Sequence, residues 1–120
     1  MNTNNNNNKT LFMYLKPKPY QEITTSKEFT AILQNNMKVV VDFYADWCQP
    51  CKMISPVFTE LATDYKTIKC IKVNVDHSPE ICSRCGIKSM PTFHFYLHGM
   101  KVKEIVGANK RALQYDFSHF

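Results

Sequence analysis

Two cysteines two residues apart occupy positions 48 and 51, in the stretch "DWCQPC" that runs from Asp46 to Cys51. Cysteines at this spacing do one of three things: they exchange electrons as a dithiol and a disulfide, supply half of a tetrahedral metal site, or pack as small apolar side chains. A reversible disulfide needs one accessible thiolate and a second thiol within reach of it. A CxxC at the start of a helix supplies both. Unpaired N–H groups and the positive end of the helix dipole favour the anion, moving a thiol pKa from about 8.5 into the range of about 3.5–7.5. Cys48 is nearer the helix end and should feel this more than Cys51, which lies one turn further in and should be more shielded. On that asymmetry Cys48 attacks a substrate disulfide and Cys51 resolves the mixed disulfide. Pro50 gives up a donor that would be unpaired in a first helical turn anyway, and it stiffens the loop. Gln49 has no comparable rationale.

A charged residue interrupts the most apolar stretch of the chain, Asp42 within "VVVDFY". Keeping a buried carboxyl neutral at pH 7, against a reference pKa of about 3.9, costs about 4 kcal/mol. A whole domain has only about 5–15 kcal/mol of net stability. A valine would be the structural choice, so Asp42 is either ion-paired or a proton carrier for a nearby thiol. Lys72, inside "IKCIKVNVD", is a candidate charge partner; the alternative is a lysine whose ammonium reaches solvent.

The elements that must position these residues alternate between strand and helix. "YQEI" can form a short edge strand, and "TSKEFTAIL" carries a capping box in Thr25 and Glu28 with Phe29, Ile32 and Leu33 on one face. "KVVVDFYA" is nearly continuous in apolar residues, as a strand covered on both faces would be, and is expected at the centre of a sheet. Ile54, Val57, Phe58, Leu61, Ala62 and Tyr65 keep helical rhythm, so the cysteines open a long amphipathic helix that Pro56 should kink. "TIKCIKVNV" is a second buried strand, and a short helix begins near Pro79. "TFHFYL" and "KVKEIVG" form a hairpin through His98 and Gly99, with Phe93 and Phe95 facing the core. A terminal helix capped by Asn109 presents Leu113, Phe117 and Phe120. The pattern specifies an α/β protein with a mixed sheet flanked by helices.

Size and charge narrow the function classes. A chain of 120 residues, 44% of them hydrophobic, suits one domain. Its net charge of +5 includes Lys9, Lys16 and Lys18 of an acid-free beginning, and the remainder is nearly balanced, with 12 basic and 10 acidic residues. No basic cluster interleaves with aromatics, so nucleic acid is not an expected partner. No apolar run approaches the roughly 18 residues of a membrane span, and "LFMYL" is too short for a signal-peptide core. Five cysteines without a secretory signal argue against a purely structural disulfide framework. Residues 1–19, opening with "MNTNNNNNKT", read as a low-complexity, disordered leader, with organellar targeting as the alternative. Residues 20–120 read as the folded domain.

With these residues in place, the chain resembles the thioredoxin family. "VVVDFYADWCQPCKMISP" is similar to its active-site strand and helix, "KVNVD" to its next strand, "MPTF" to its cis-proline turn and "HGMKVKEIVGANK" to its terminal hairpin and helix cap. Thioredoxins are among the proteins that define the thiol pKa range quoted above. The resemblance implies the thioredoxin fold, a central mixed sheet with helices on both faces. It implies reduction of protein disulfides through a Cys48/Cys51 cycle, recharging by a thioredoxin reductase and a part in cell redox homeostasis. It also implies site roles: Cys48 as nucleophile, Cys51 as resolving thiol, and Asp42 as buried acid/base with Lys72 beside it. Trp47 would flank the disulfide, and Met90 before the cis-proline Pro91 would offer backbone hydrogen bonds to a substrate strand. Glycine is usual in the family where Gln49 stands, so redox potential and partner choice are the properties this chain would alter. A cytoplasmic monomer without cofactor or metal is the expectation, and a non-catalytic adaptor on the same fold is the rival.

"CSRCG", Cys82 to Gly86, is a second CxxC. Two such units could bind zinc, but 30 residues separate Cys51 from Cys82, beyond the usual 15–20 or so, and zinc would not need the long helix. Cys82 and Cys85 read as packed or free thiols, with a regulatory disulfide as the alternative. Cys70 reads as a core residue, and His77, His94, His98 and His119 as ordinary polar residues.

Overall fold

The computed structural model describes residues 17–120. Residues 1–16, which make up most of the expected leader, lie outside the described residues. The elements follow in the order β1 (Gln21–Glu22), α1 (Ser26–Asn35), β2 (Lys38–Tyr44), α2 (Gln49–Asp64), β3 (Lys69–Asn74), α3 (Pro79–Cys85), β4 (Thr92–Leu97), β5 (Met100–Val106) and α4 (Lys110–Ser118).

Local sequence explains the boundaries. Thr25 caps α1 in a reciprocal box: its hydroxyl accepts from the Glu28 N–H at 3.1 Å, and the Glu28 carboxylate accepts from the Thr25 N–H at 3.3 Å. Pro79 opens α3, and Gly86 closes it in the left-handed conformation, where the Ile87 N–H reaches back to the Cys82 carbonyl at 3.0 Å. His98 and Gly99 both have positive φ, 50° and 80°, which gives the β4–β5 hairpin the right twist in a two-residue turn. Asn109 caps α4 by accepting from the Ala112 N–H at 3.0 Å.

The five strands form one sheet in the order β1-β3-β2-β4-β5. β1, β3 and β2 are parallel, while β4 is antiparallel to β2 and β5 to β4. β2 is therefore central, as its nearly continuous apolar run led one to expect. Strand alternation then sorts the core into two layers. Val39, Val41 and Phe43 pack with Phe29, Ile32 and Leu33 of α1 and Ile81 of α3. Val40, Phe93 and Phe95 pack with Ile54, Phe58 and Leu61 of α2 and Leu113 and Phe117 of α4. Helices cover both faces.

Pro56 does not end α2, which runs through it for 16 residues. The missing N–H deprives the Lys52 carbonyl of its helical partner, and both residues lie on the exposed side, where water can serve. Among the described residues no helix is long and apolar enough to cross a membrane.

Candidate active site

β2 ends at Tyr44 and α2 begins at Gln49, and the four residues between them lead from the C-terminal end of the central strand into the helix that carries both cysteines. Cys48 is the N-cap of α2, and its sulfur accepts the Cys51 N–H at 3.2 Å. Cys48 and Cys51 are joined in a disulfide with their Cα atoms 5.3 Å apart. Pro50 sits in the first turn, and Gln49 is exposed between the cysteines. The expected difference in shielding is not seen in the accessible surface, since Cys48 is 5% and Cys51 4% exposed. The bond draws both sulfurs together, and Met90 packs against them from the opposite loop. What distinguishes the two is position on the helix: Cys48 caps it, whereas Cys51 is its third residue.

Met90, Pro91 and Trp47 converge on the same end of the central strand. The Met90–Pro91 peptide bond is cis, and the Met90 carbonyl lies 3.6 Å from the Cys48 sulfur. Trp47 is 67% exposed, and its indole N–H donates to Asp76 at 2.9 Å. Asp76 follows β3, where the Asn74 side chain accepts its N–H at 3.0 Å. The sequence offered one signal for this contact, the acid at the end of "KVNVD".

Asp42 and Lys72 are register partners on the adjacent parallel strands β2 and β3. Asp42 is 1% exposed, and its Oδ2 lies 3.8 Å from the Lys72 ammonium. Desolvation pushes the Asp42 carboxyl up to about 7; Lys72 opposes this and Glu22 adds to it. Its Oδ1 has no hydrogen-bond partner among the described residues. Lys72 donates to Ser55 at 3.1 Å and lies over the rings of Tyr44 and Tyr20, 4.7 and 4.9 Å from their centroids. The Tyr44 hydroxyl is hydrogen-bonded to the Glu22 carboxylate. Cys51, Lys52, Ser55 and Lys72 line a recess of about 340 Å³. Lys72 thus connects buried Asp42 to a solvent-accessible space bordered by Cys51. Sequence reasoning found Asp42 and Lys72 but missed Ser55, Tyr44, Tyr20 and Glu22.

The family profile described as Thioredoxin matches residues 21–118. The chain belongs to the thioredoxin family. It is 43% identical over 94 residues to Thioredoxin-1 of Schizosaccharomyces pombe, spanning 78% of this chain and 91% of that one. It is 41% identical over 93 residues to mitochondrial Thioredoxin-3 of Saccharomyces cerevisiae, spanning 78% and 73%. The solved oxidised form of mitochondrial thioredoxin 3 from Saccharomyces cerevisiae superposes with a TM-score of 0.81 at 38% identity, over 84% of this chain and 95% of that one. The thioredoxin of Plasmodium falciparum gives a TM-score of 0.81 at 39% identity, over 83% and 98%. Thioredoxin membership and the Cys48–Cys51 disulfide make the protein a thiol-disulfide oxidoreductase acting on protein disulfides. They favour it over the adaptor reading.

The remaining cysteines are free thiols. Cys70 is buried in β3, and burial pushes its thiol up to about 12. Cys82 and Cys85 pack against the α1/α3 layer, and desolvation raises both above the ordinary thiol value. His94 departs from its reading as an ordinary polar residue. It is wholly buried between Phe43 and Tyr96, with Nε2 2.7 Å from the Glu104 carboxylate.

Proposed function

We propose that the protein reduces protein disulfides in a two-step exchange centred on Cys48. The Cys48 thiolate attacks one sulfur of a substrate disulfide, forming a mixed disulfide and releasing the other substrate sulfur as a thiolate. Cys51 then loses its proton and attacks the Cys48 sulfur. The Cys48–Cys51 disulfide forms, the second substrate thiol leaves, and two electrons have passed to the substrate.

Asp42 is the proton acceptor in this reading. A carboxyl pushed up to about 7 can take a proton from a thiol and return it near neutral pH, and Lys72 and the recess link it to Cys51. Trp47, Met90 and Pro91 form the substrate-binding rim, where the Met90 backbone pairs with an extended substrate segment. A thioredoxin reductase returns the electrons, and the protein works in the cytoplasm as an electron carrier, with residues 20–120 as the catalytic domain behind an asparagine-rich leader at 1–19. The single observation that carries the proposal is the disulfide at the capped start of α2.

The test is reduction of insulin disulfides with dithiothreitol as donor, comparing the protein with its Cys48→Ser variant. Turnover that disappears in the variant is expected. A background rate from both would overturn the proposal and return the adaptor.

A further inference from the structure

Lys72 is held by an arrangement that neither the family resemblance nor the exchange cycle assigns. Its ammonium hydrogen-bonds Ser55 at 3.1 Å, whereas Asp42 at 3.8 Å lies beyond the roughly 2.7–3.2 Å of an N–H···O bond. Two tyrosine faces complete the cradle. Tyr44 and Tyr20 approach at 4.7 and 4.9 Å, within the range in which a cation is attracted to a ring, and the hydrogen bond from the Tyr44 hydroxyl to Glu22 fixes the first of them. A buried lysine beside a buried carboxylate would ordinarily close to direct contact, because both charges are desolvated. Here the contact is left open, and Asp42 Oδ1 has no donor.

We propose that Ser55 is a positioning residue which, with the Tyr20 and Tyr44 rings, holds the Lys72 ammonium short of direct contact with Asp42 and so leaves Asp42 free to exchange a proton. The functional sense of this rests on Asp42 being the proton acceptor; the placement itself does not. Ser55 is suited to the task by position. It lies one turn beyond Cys51 on α2, facing the recess that Cys51 and Lys72 share. The groups around Asp42 that could also bias it are Lys72 on β3, Glu22 on β1, Tyr44 on β2, Asp46 beyond it, Cys51 and Lys52 on α2, and Tyr20. Of these, Lys72 is the cation whose distance Ser55 controls. Closing that distance from 3.8 Å to about 2.9 Å strengthens the attraction enough, at an effective dielectric of about 20, to favour the Asp42 anion about tenfold.

The experiment follows the Asp42 carboxyl by carbon-13 NMR through a pH titration of the oxidised protein, in which neither active-site thiol titrates. Ser55→Ala is expected to lower the Asp42 midpoint by about one pH unit, the tenfold change above, and Ser55→Thr to restore it. In a Lys72→Met background, Ser55→Ala should leave the midpoint where it was. An unmoved or raised midpoint in Ser55→Ala, or a shift that persists without Lys72, overturns the proposal. The pH profile of insulin reduction by Ser55→Ala is measured alongside. If it moves with the midpoint, both readings stand. If the midpoint moves and the profile does not, Ser55 still sets Asp42 through Lys72, and Asp42 is rejected as the proton acceptor.

Discussion

Replacing Asp42 by asparagine should stabilise the protein, and by an amount that depends on pH. Asparagine imitates the neutral carboxyl in size, so the comparison isolates the cost of ionising Asp42 in place. Burial raises that carboxyl from its ordinary 3.8 to about 7. The folded state therefore binds the proton more tightly than the unfolded chain. Stability from this group is fully present below pH 3.8 and is lost as pH rises through 7. At about 1.4 kcal/mol per unit the loss totals about 4 kcal/mol. The stability of Asp42→Asn minus that of the parent should be near zero at pH 4, grow through pH 5 and 6, and level off at about 4 kcal/mol by pH 8. The difference cancels groups common to both chains, His94 and the surface carboxylates included. Urea unfolding of both oxidised proteins at each pH gives the quantity directly. A difference that stays flat with pH, or an asparagine variant less stable than its parent at pH 8, would refute the reasoning. Asp42 would then be held as an anion by Lys72.

Two further outcomes follow from His94, inside β4, and from Trp47, in the loop between β2 and α2. Burial lowers the pKa of His94 below 6.5, so the stability it contributes is present above pH 6.5 and is lost as pH falls. His94→Phe, which suits the aromatic surroundings of Phe43 and Tyr96, should flatten the acid limb of the stability curve; parallel limbs in urea titrations of the two proteins would contradict this. Trp47→Phe removes the hydrogen bond to Asp76 from a side chain that is 67% exposed. We expect about a fivefold fall in kcat/KM for insulin, equivalent to about 1 kcal/mol, with a smaller change in stability. A large loss of stability with unchanged kcat/KM would make Trp47 a structural residue.

Much of this arrangement was legible because local rules and the overall fold agree. The capping box at Thr25 and Glu28, the nearly continuous apolar run of β2 and the helical rhythm after Cys51 are each patterns within a short stretch of chain. Asp42 announced itself by contradicting its surroundings. The cradle around Lys72 was not legible, because Ser55, Tyr20 and Tyr44 reach it from α2, from the segment before β1 and from the end of β2. The pairing of β3 with β2 on one side and with β1 on the other, together with the placement of α2, brings them together around Lys72. His94 is a different case. Strand alternation in "TFHFYL" put Phe93 and Phe95 on the core face, while His94 was read only as an ordinary polar residue. A sheet with helices on both sides buries the alternate residues too, and that inference was available from the sequence.

One backbone group gains an unusual duty from the geometry of α2. The N–H of Cys51 is directed at the Cys48 sulfur, the atom whose bonding changes in every turnover. Helix caps are ordinarily permanent partners, whereas this cap is neutral in the disulfide and becomes an anion when the proposed nucleophile is released. A hydrogen bond to an anion is roughly twice as strong as one to a neutral acceptor. Reduction therefore tightens the first turn of the helix that it opens to substrate, and the Cys51 amide proton becomes a spectroscopic reporter of the redox state, read without any added label.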